Sequence, residues 1–174
     1  MAESALVVLV PEAERLVVSI RAMYDPVASK GMPAHITILY PFVDPGEIDD
    51  TVLKTLTDYF GSSAQFRCSL AHPGEFPGIL YLVPEPSEPF VRLTQGLSAI
   101  YPEHPPYLGA FAEIVPHLTV AEIADRDRLQ AAVAVFERNC LSALPIEVSV
   151  SEVWLMVGDE DTWLGLHSFP LGGC

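Results

Sequence analysis

Two short strings in this chain combine residue types that can move a proton beside a phosphate. One is His35-Ile36-Thr37, inside Pro33-Ala34-His35-Ile36-Thr37-Ile38-Leu39-Tyr40-Pro41-Phe42; the other is His117-Leu118-Thr119, inside Val115-Pro116-His117-Leu118-Thr119-Val120. Their β-branched and aromatic residues, bounded by prolines, predict strands. Side chains alternate along a strand, so His and Thr of each string leave one face while the apolar residues leave the other. An unperturbed imidazole has a pKa of roughly 6.5, so one of the pair can be neutral and one protonated near neutral pH. The neutral ring takes a proton from a nucleophile and the imidazolium gives one to a leaving oxygen. The Thr hydroxyls can donate to non-bridging phosphate oxygens. A single His-x-Thr carries little weight, because a strand His is commonly structural and Thr favours strands. Two in the same frame, one in each half of the chain, point to a shared site. The chemistry they suit is phosphodiester transesterification or the opening of a cyclic phosphate, with no metal and no other cofactor required.

The elements that must position these strings can be read along the chain. A buried strand is expected over 5–10, and Pro11 opens a helix with Glu12 and Glu14 at its positive end. Leu16, Val17, Ile20 and Met23 form that helix's apolar stripe, which Asp25-Pro26 ends. After the first His-x-Thr strand, a helix over 49–60 buries Val52, Leu53, Leu56 and Phe60. Strands over 64–71 and 79–83 flank a loop at 72–78. A helix over 90–100 places Leu93, Leu97 and Ile100 for burial, and a long Pro- and Tyr-rich loop spans 102–111. The second His-x-Thr strand, a helix over 125–140 and strands over 144–150, 152–157 and 162–169 complete the chain. The order predicts one α+β domain over 1–174, with helices on the outside and no linker.

The chain's 174 residues are half apolar, enough for one well-buried core. No run approaches the roughly 18 uninterrupted apolar residues of a membrane span. Met1-Ala2-Glu3-Ser4 lacks the basic start of a secretory signal, which predicts a cytoplasmic protein. Cys68, Cys140 and Cys174 have no close spacing and read as reduced thiols rather than a disulfide framework or zinc site. Nine Lys and Arg against 23 Asp and Glu give a net charge of −14. Such a surface repels anionic membranes and long polyanions, so no membrane and no long nucleic acid is expected as partner. A metal site on His35 and His117 finds no support, since no His-x-His or His-Glu-x-x-His spacing occurs. His72 and His104 fall in Pro-rich loops and His167 in the last strand, where solvated and structural roles suffice.

The paired strings resemble the signature of the 2H phosphoesterases, the family of 2′-5′ RNA ligases and cyclic nucleotide phosphodiesterases. The resemblance continues through Phe76-Pro77-Gly78-Ile79-Leu80-Tyr81-Leu82-Val83-Pro84-Glu85-Pro86 and Pro105-Pro106-Tyr107-Leu108-Gly109-Ala110-Phe111. It extends to Val153-Trp154-Leu155-Met156 and Trp163-Leu164-Gly165-Leu166, and so covers most of the chain in order. It implies a bilobal α+β fold, in which two pseudo-symmetric antiparallel sheets face a central cleft and helices cover the outer faces. It also implies His35 and His117 as the catalytic acid/base residues, and Thr37 and Thr119 as phosphate binders.

Tyr107 and Phe111 are candidates for stacking a nucleobase. The expected activity is hydrolysis of 2′,3′-cyclic phosphates on small nucleotides or RNA ends, with 2′-5′ ligation as the reverse reaction. The alternative is a module that binds a nucleotide or phosphate in the same cleft without turnover. Neither motif nor the 102–111 loop contains Lys or Arg, which favours small substrates over long RNA.

Overall fold

The computed structural model describes residues 2–173, so Cys174 lies outside the described residues. Its strands are β1 (Glu3–Leu9), β2 (His35–Leu39), β3 (Phe66–Phe76), β4 (Ile79–Glu85), β5 (Leu118–Glu122), β6 (Ile146–Val150), β7 (Glu152–Gly158) and β8 (Trp163–Pro170). Its helices are α1 (Pro11–Tyr24), α2 (Asp50–Gly61), α3 (Glu88–Ile100) and α4 (Arg126–Asn139). Asp49 and Asp125 cap α2 and α4 by accepting the backbone N–H groups of Val52 and Arg128, both at 2.9 Å.

All eight strands join one antiparallel sheet in the order β6-β3-β4-β5-β2-β1-β7-β8. The two separate sheets implied by the family resemblance are therefore two halves of one sheet. They meet where β5 pairs with β2, at the single Cα pair Ile36–Leu118. Each half sends a helix beneath the other's inner strand: α1 packs on β5, and α3 packs on β2. Only Ser151 links β6, at one edge, to β7, next to the far edge. So short a link requires the sheet to curl until those strand ends approach. The bridge between Ala64 and Gly172 ties the start of β3 to the end of β8 in the same way.

The alternation of the strands divides the molecule into two sides. Leu6, Val8, Ile36, Ile38, Leu118 and Val120 join the helices' Ala13, Val17, Ile20, Leu56, Phe60, Phe90, Leu97 and Phe136 in the main core. Fully burying a side chain such as Ile36 or Leu118 stabilises the fold by about 1.5–3 kcal/mol. The opposite face carries a smaller cluster of Ala5, Val7, Met32, Met156 and Trp163.

The structure revises three sequence expectations. Residues 72–76 continue β3 rather than forming a loop. Pro73 is tolerated there because β6 pairs with β3 only as far as Leu70, leaving the outer edge beyond it free of sheet partners. The chain turns instead at Pro77-Gly78, where Gly78 has φ +82, a left-handed value that glycine adopts without penalty. On α1, Met23 is 64% exposed and Arg21 takes the buried position, because Asp25 and backbone carbonyls are there to receive its charge. Ile100, the last residue of α3, is also exposed, while Thr94 is buried and donates to the Ile38 carbonyl at 2.8 Å.

Candidate active site

The two His-x-Thr strings lie at the starts of the inner strands of the two halves, His35 as the first residue of β2 and His117 immediately before β5. The Ile36–Leu118 pair sets His35 abreast of Thr119, and Thr37 abreast of His117, in the antiparallel register. The four side chains leave the face that the helices do not cover, since Ile36 and Leu118 point into the main core.

Both imidazoles are held in the same way. Nδ1 of His35 lies 2.7 Å from the Pro33 carbonyl, and Nδ1 of His117 lies 2.7 Å from the Val115 carbonyl. A carbonyl only accepts, so each Nδ1 carries the proton and each neutral ring keeps its lone pair on Nε2. Burial pushes the His35 pKa down to about 4; the Pro33 carbonyl pulls the other way, and the positive charges of Arg21 and His117 add to the fall. Burial also lowers His117, against the pull of the Val115 carbonyl. The expectation of one protonated and one neutral ring thus gives way to two rings biased toward neutrality, because both are desolvated.

Behind His35 lies a buried ionic cluster. The Arg21 guanidinium donates from Nε to Asp25 at 2.9 Å and from Nη2 to the Met32 carbonyl at 3.0 Å. It also pairs with Glu14 at 3.5 Å. Glu14 accepts the Ala34 backbone N–H. Burial pushes the Asp25 carboxyl up, and Arg21 opposes that shift. The two peptide units flanking Pro33, immediately before the motif, are thereby pinned to α1.

Behind His117 stand rings. Phe76 and Tyr81 stack on each other with centroids 4.3 Å apart. Each meets His117 edge-on, at 5.3 and 5.5 Å. Tyr81 pairs with Thr119 across the β4–β5 ladder, so both point to the motif face. Sequence reasoning did not single out Phe76 or Tyr81 as site residues, although the alternation of Tyr81 with the buried Leu80 and Leu82 places it on this face.

Tyr107 and Leu108 have φ values of 50 and 57, left-handed conformations costing roughly 1–2 kcal/mol each for residues with a Cβ. The Tyr107 N–H donates to the Tyr40 carbonyl at 2.6 Å, which anchors the loop to the end of β2. Burial raises the Tyr107 hydroxyl's pKa, while hydrogen bonding with the Thr37 side chain lowers it. Phe111 meets Tyr107 edge-on at 5.7 Å but is 69% exposed. Tyr107 is thus joined to the motif face directly and Phe111 through Tyr107.

The remaining histidines have other neighbours: His72 pairs with Glu85, His104 packs on Phe42 and Tyr101, and His167 stacks on Phe169. Among the described residues, no three His, Cys, Asp or Glu side chains converge as a metal site, and no helix is long and apolar enough to cross a membrane. Cys68 and Cys140 are buried free thiols.

The whole fold recurs in solved structures. TT0787 of Thermus thermophilus is similar at 22% identity and TM-score 0.67, with 98% of each chain covered. E. coli LigT complexed with 3′-AMP is similar at 15% identity and TM-score 0.61, again with 98% of each chain covered. LigT complexed with NADP+ is similar at 17% identity and TM-score 0.60, covering 98% of this chain and 97% of the other. A search of curated protein sequences finds no match. The sequence profile of the 2′-5′ RNA ligase superfamily matches residues 9–162, which include both motifs, and the chain therefore belongs to that superfamily, the 2H phosphoesterases.

Proposed function

We propose that this protein is a metal-independent phosphoesterase that opens 2′,3′-cyclic phosphates of small nucleotides or RNA ends, with His35 and His117 as its acid/base pair. The observation that carries the reading is the matched pair of imidazoles on the uncovered face. Each has Nδ1 tied to a carbonyl at 2.7 Å and Nε2 left to exchange a proton. One Nε2 takes a proton from water as the water oxygen bonds to phosphorus. The other ring, protonated, gives its proton to the ribose oxygen as that P–O bond breaks. One water is consumed, and the pair exchanges protonation states. With a 5′-hydroxyl in place of water, the same sequence opens the cyclic phosphate to form a phosphodiester and is the ligase reaction. Thr37 and Thr119 donate to the non-bridging oxygens, and Tyr107 and Phe111 face the base.

The downward shifts of both imidazoles suit a site that awaits an anion. A phosphate between the rings favours the charged form of one of them, which then serves as the acid. The ligands of LigT, 3′-AMP and NADP+, are small nucleotides, in keeping with a substrate of that size. This reading puts the substrate on the uncovered face where β2 and β5 meet, and the protein in the cytoplasm.

The test is incubation with the four 2′,3′-cyclic nucleotides and a short RNA ending in a cyclic phosphate, with EDTA present and products followed by phosphorus NMR. Formation of a phosphomonoester is expected. Tight nucleotide binding without turnover would instead establish a binding module.

A further inference from the structure

Both imidazoles lean on the carbonyl two residues earlier, yet the two peptide groups that supply those carbonyls differ. The Pro33 carbonyl belongs to the Pro33–Ala34 peptide, whose N–H is accepted by Glu14. The Val115 carbonyl belongs to the Val115–Pro116 peptide, whose nitrogen is proline's and carries no hydrogen. A carboxylate can thus act on His35 through one peptide group, and no group can act on His117 in that way.

We propose that Glu14, steadied by Arg21, is a positioning residue for His35 and acts through the Pro33–Ala34 peptide as a carboxylate–peptide–imidazole relay. The Ala34 N–H and the Pro33 C=O share one delocalised unit. A carboxylate accepting the N–H draws electron density toward the carbonyl oxygen and makes it a stronger acceptor for the Nδ1 proton, as linked hydrogen bonds polarise one another. No proton travels along the relay: the Nδ1 hydrogen stays on His35. The relay orients the ring, holds the tautomer with a bare Nε2, and stabilises the imidazolium formed when Nε2 takes a proton. His35 is therefore the base of the pair and His117 the acid.

Two features of the surroundings support a built device. Arg21 and Asp25 are 1% and 3% exposed, a high cost for charges that served no local purpose. The Met32 carbonyl, on the other side of Pro33, is held by Arg21 as well, so both peptide units flanking Pro33 are fixed. The charged groups around His35 are Arg21 of α1 and His117 before β5, with Glu14 and Asp25 of α1 balancing Arg21.

The assignment of base and acid rests on the phosphoesterase reading, whereas the relay itself is tested without turnover. In the wild-type protein, proton and nitrogen NMR should place the His35 Nδ1–H downfield of that of His117. Glu14→Gln keeps an acceptor oxygen but removes the charge; it should move the His35 resonance upfield and leave that of His117 in place. Glu14→Asp should lie between. In the same series, kcat on a 2′,3′-cyclic nucleotide should fall on the order of tenfold with KM unchanged, about the worth of one hydrogen bond to a charged group. Wild-type resonances in the opposite order, or a Glu14→Gln variant in which neither or both resonances move, would overturn the relay. A shifted His35 resonance with undiminished kcat would overturn its catalytic part. Absence of turnover in the wild type, with the resonances behaving as described, would remove the phosphoesterase reading and leave the relay standing.

Discussion

The entry to β2 and the entry to β5 present the same three-residue motif on the same kind of strand, but different physics holds them. Before β2, charge does the holding: Arg21 is ringed by Asp25, Glu14 and the Met32 carbonyl, beneath a segment pinned to α1. Before β5, Val115 is 43% exposed, and His117 is steadied by the edges and faces of Phe76 and Tyr81. A buried ion cluster fixes a backbone sharply, because each charge has few alternatives once water is excluded. Ring packing is softer and tolerates small displacements. Similarity of a three-residue motif therefore says little about what maintains its geometry, and the first motif is held by the more directional contacts.

The largest loss is expected at the imidazoles. Replacing either His35 or His117 by Ala should lower turnover by about 10²–10⁴, the usual worth of acid–base catalysis. The double variant should fall well short of the product of the single losses, since the pair acts as a unit. Full activity in folded His117→Ala, measured by steady-state kinetics, would leave only the first motif as a catalytic element.

Next comes the ion cluster. Arg21→Met leaves the Asp25 carboxylate buried without its partner and should cost roughly 3–5 kcal/mol of stability in urea unfolding. Adding Asp25→Leu should recover a large part of that loss, because well-packed apolar pairs often replace buried ion pairs at little cost. A single variant within about 1 kcal/mol of the wild type would show that the cluster does not hold the first motif.

Acid should also act mainly through the first motif. His35 has a folded pKa of about 4, below the roughly 6.5 of an unfolded chain. Between those values the unfolded state binds the proton that folded His35 refuses, so stability falls as pH drops from 6.5 toward 4. The slope from this group is at most about 1.4 kcal/mol per pH unit. Unfolding free energies across that range should flatten in His35→Gln, and an unchanged slope would contradict the burial of this ring.

A smaller effect is expected at the rings behind the second motif. Phe76→Ala removes an edge-on contact worth about 0.5–1.5 kcal/mol and should reduce kcat roughly 2- to 10-fold. His35-centred properties, including the acid sensitivity, should not change. The smallest effect is that of salt. Phe76 and Arg126 line a cavity of about 470 Å³ beside this region, while the protein as a whole carries −14. A shallow salt dependence, fitting about one or two phosphate contacts, is expected in kcat/KM over a series of RNA lengths. A steep rise with length that collapses at high salt would reveal a basic track for RNA.

The strand, helix and motif pattern was legible in the sequence because it depends on local rules. Alternation placed His35 with Thr37 and His117 with Thr119 on one face, Pro11 opened α1, and the helices over 49–60 and 125–140 showed in their apolar spacing and their ends. Those features need only neighbours along the chain. The union of the halves into a single sheet was not legible, since it depends on one cross-strand pair, Ile36 with Leu118, between residues far apart in sequence. The extension of β3 through Pro73 was also hidden, because a proline's cost in a strand depends on whether its edge is occupied. The burial of Arg21 in place of Met23 depended on Asp25 and the Met32 carbonyl arriving at one point. The sequence by itself determined which residues can exchange protons and on which face each strand presents them. Tertiary structure alone decided what stands behind each imidazole, because burial, ion pairing and ring contact are properties of elements brought together from distant parts of the chain.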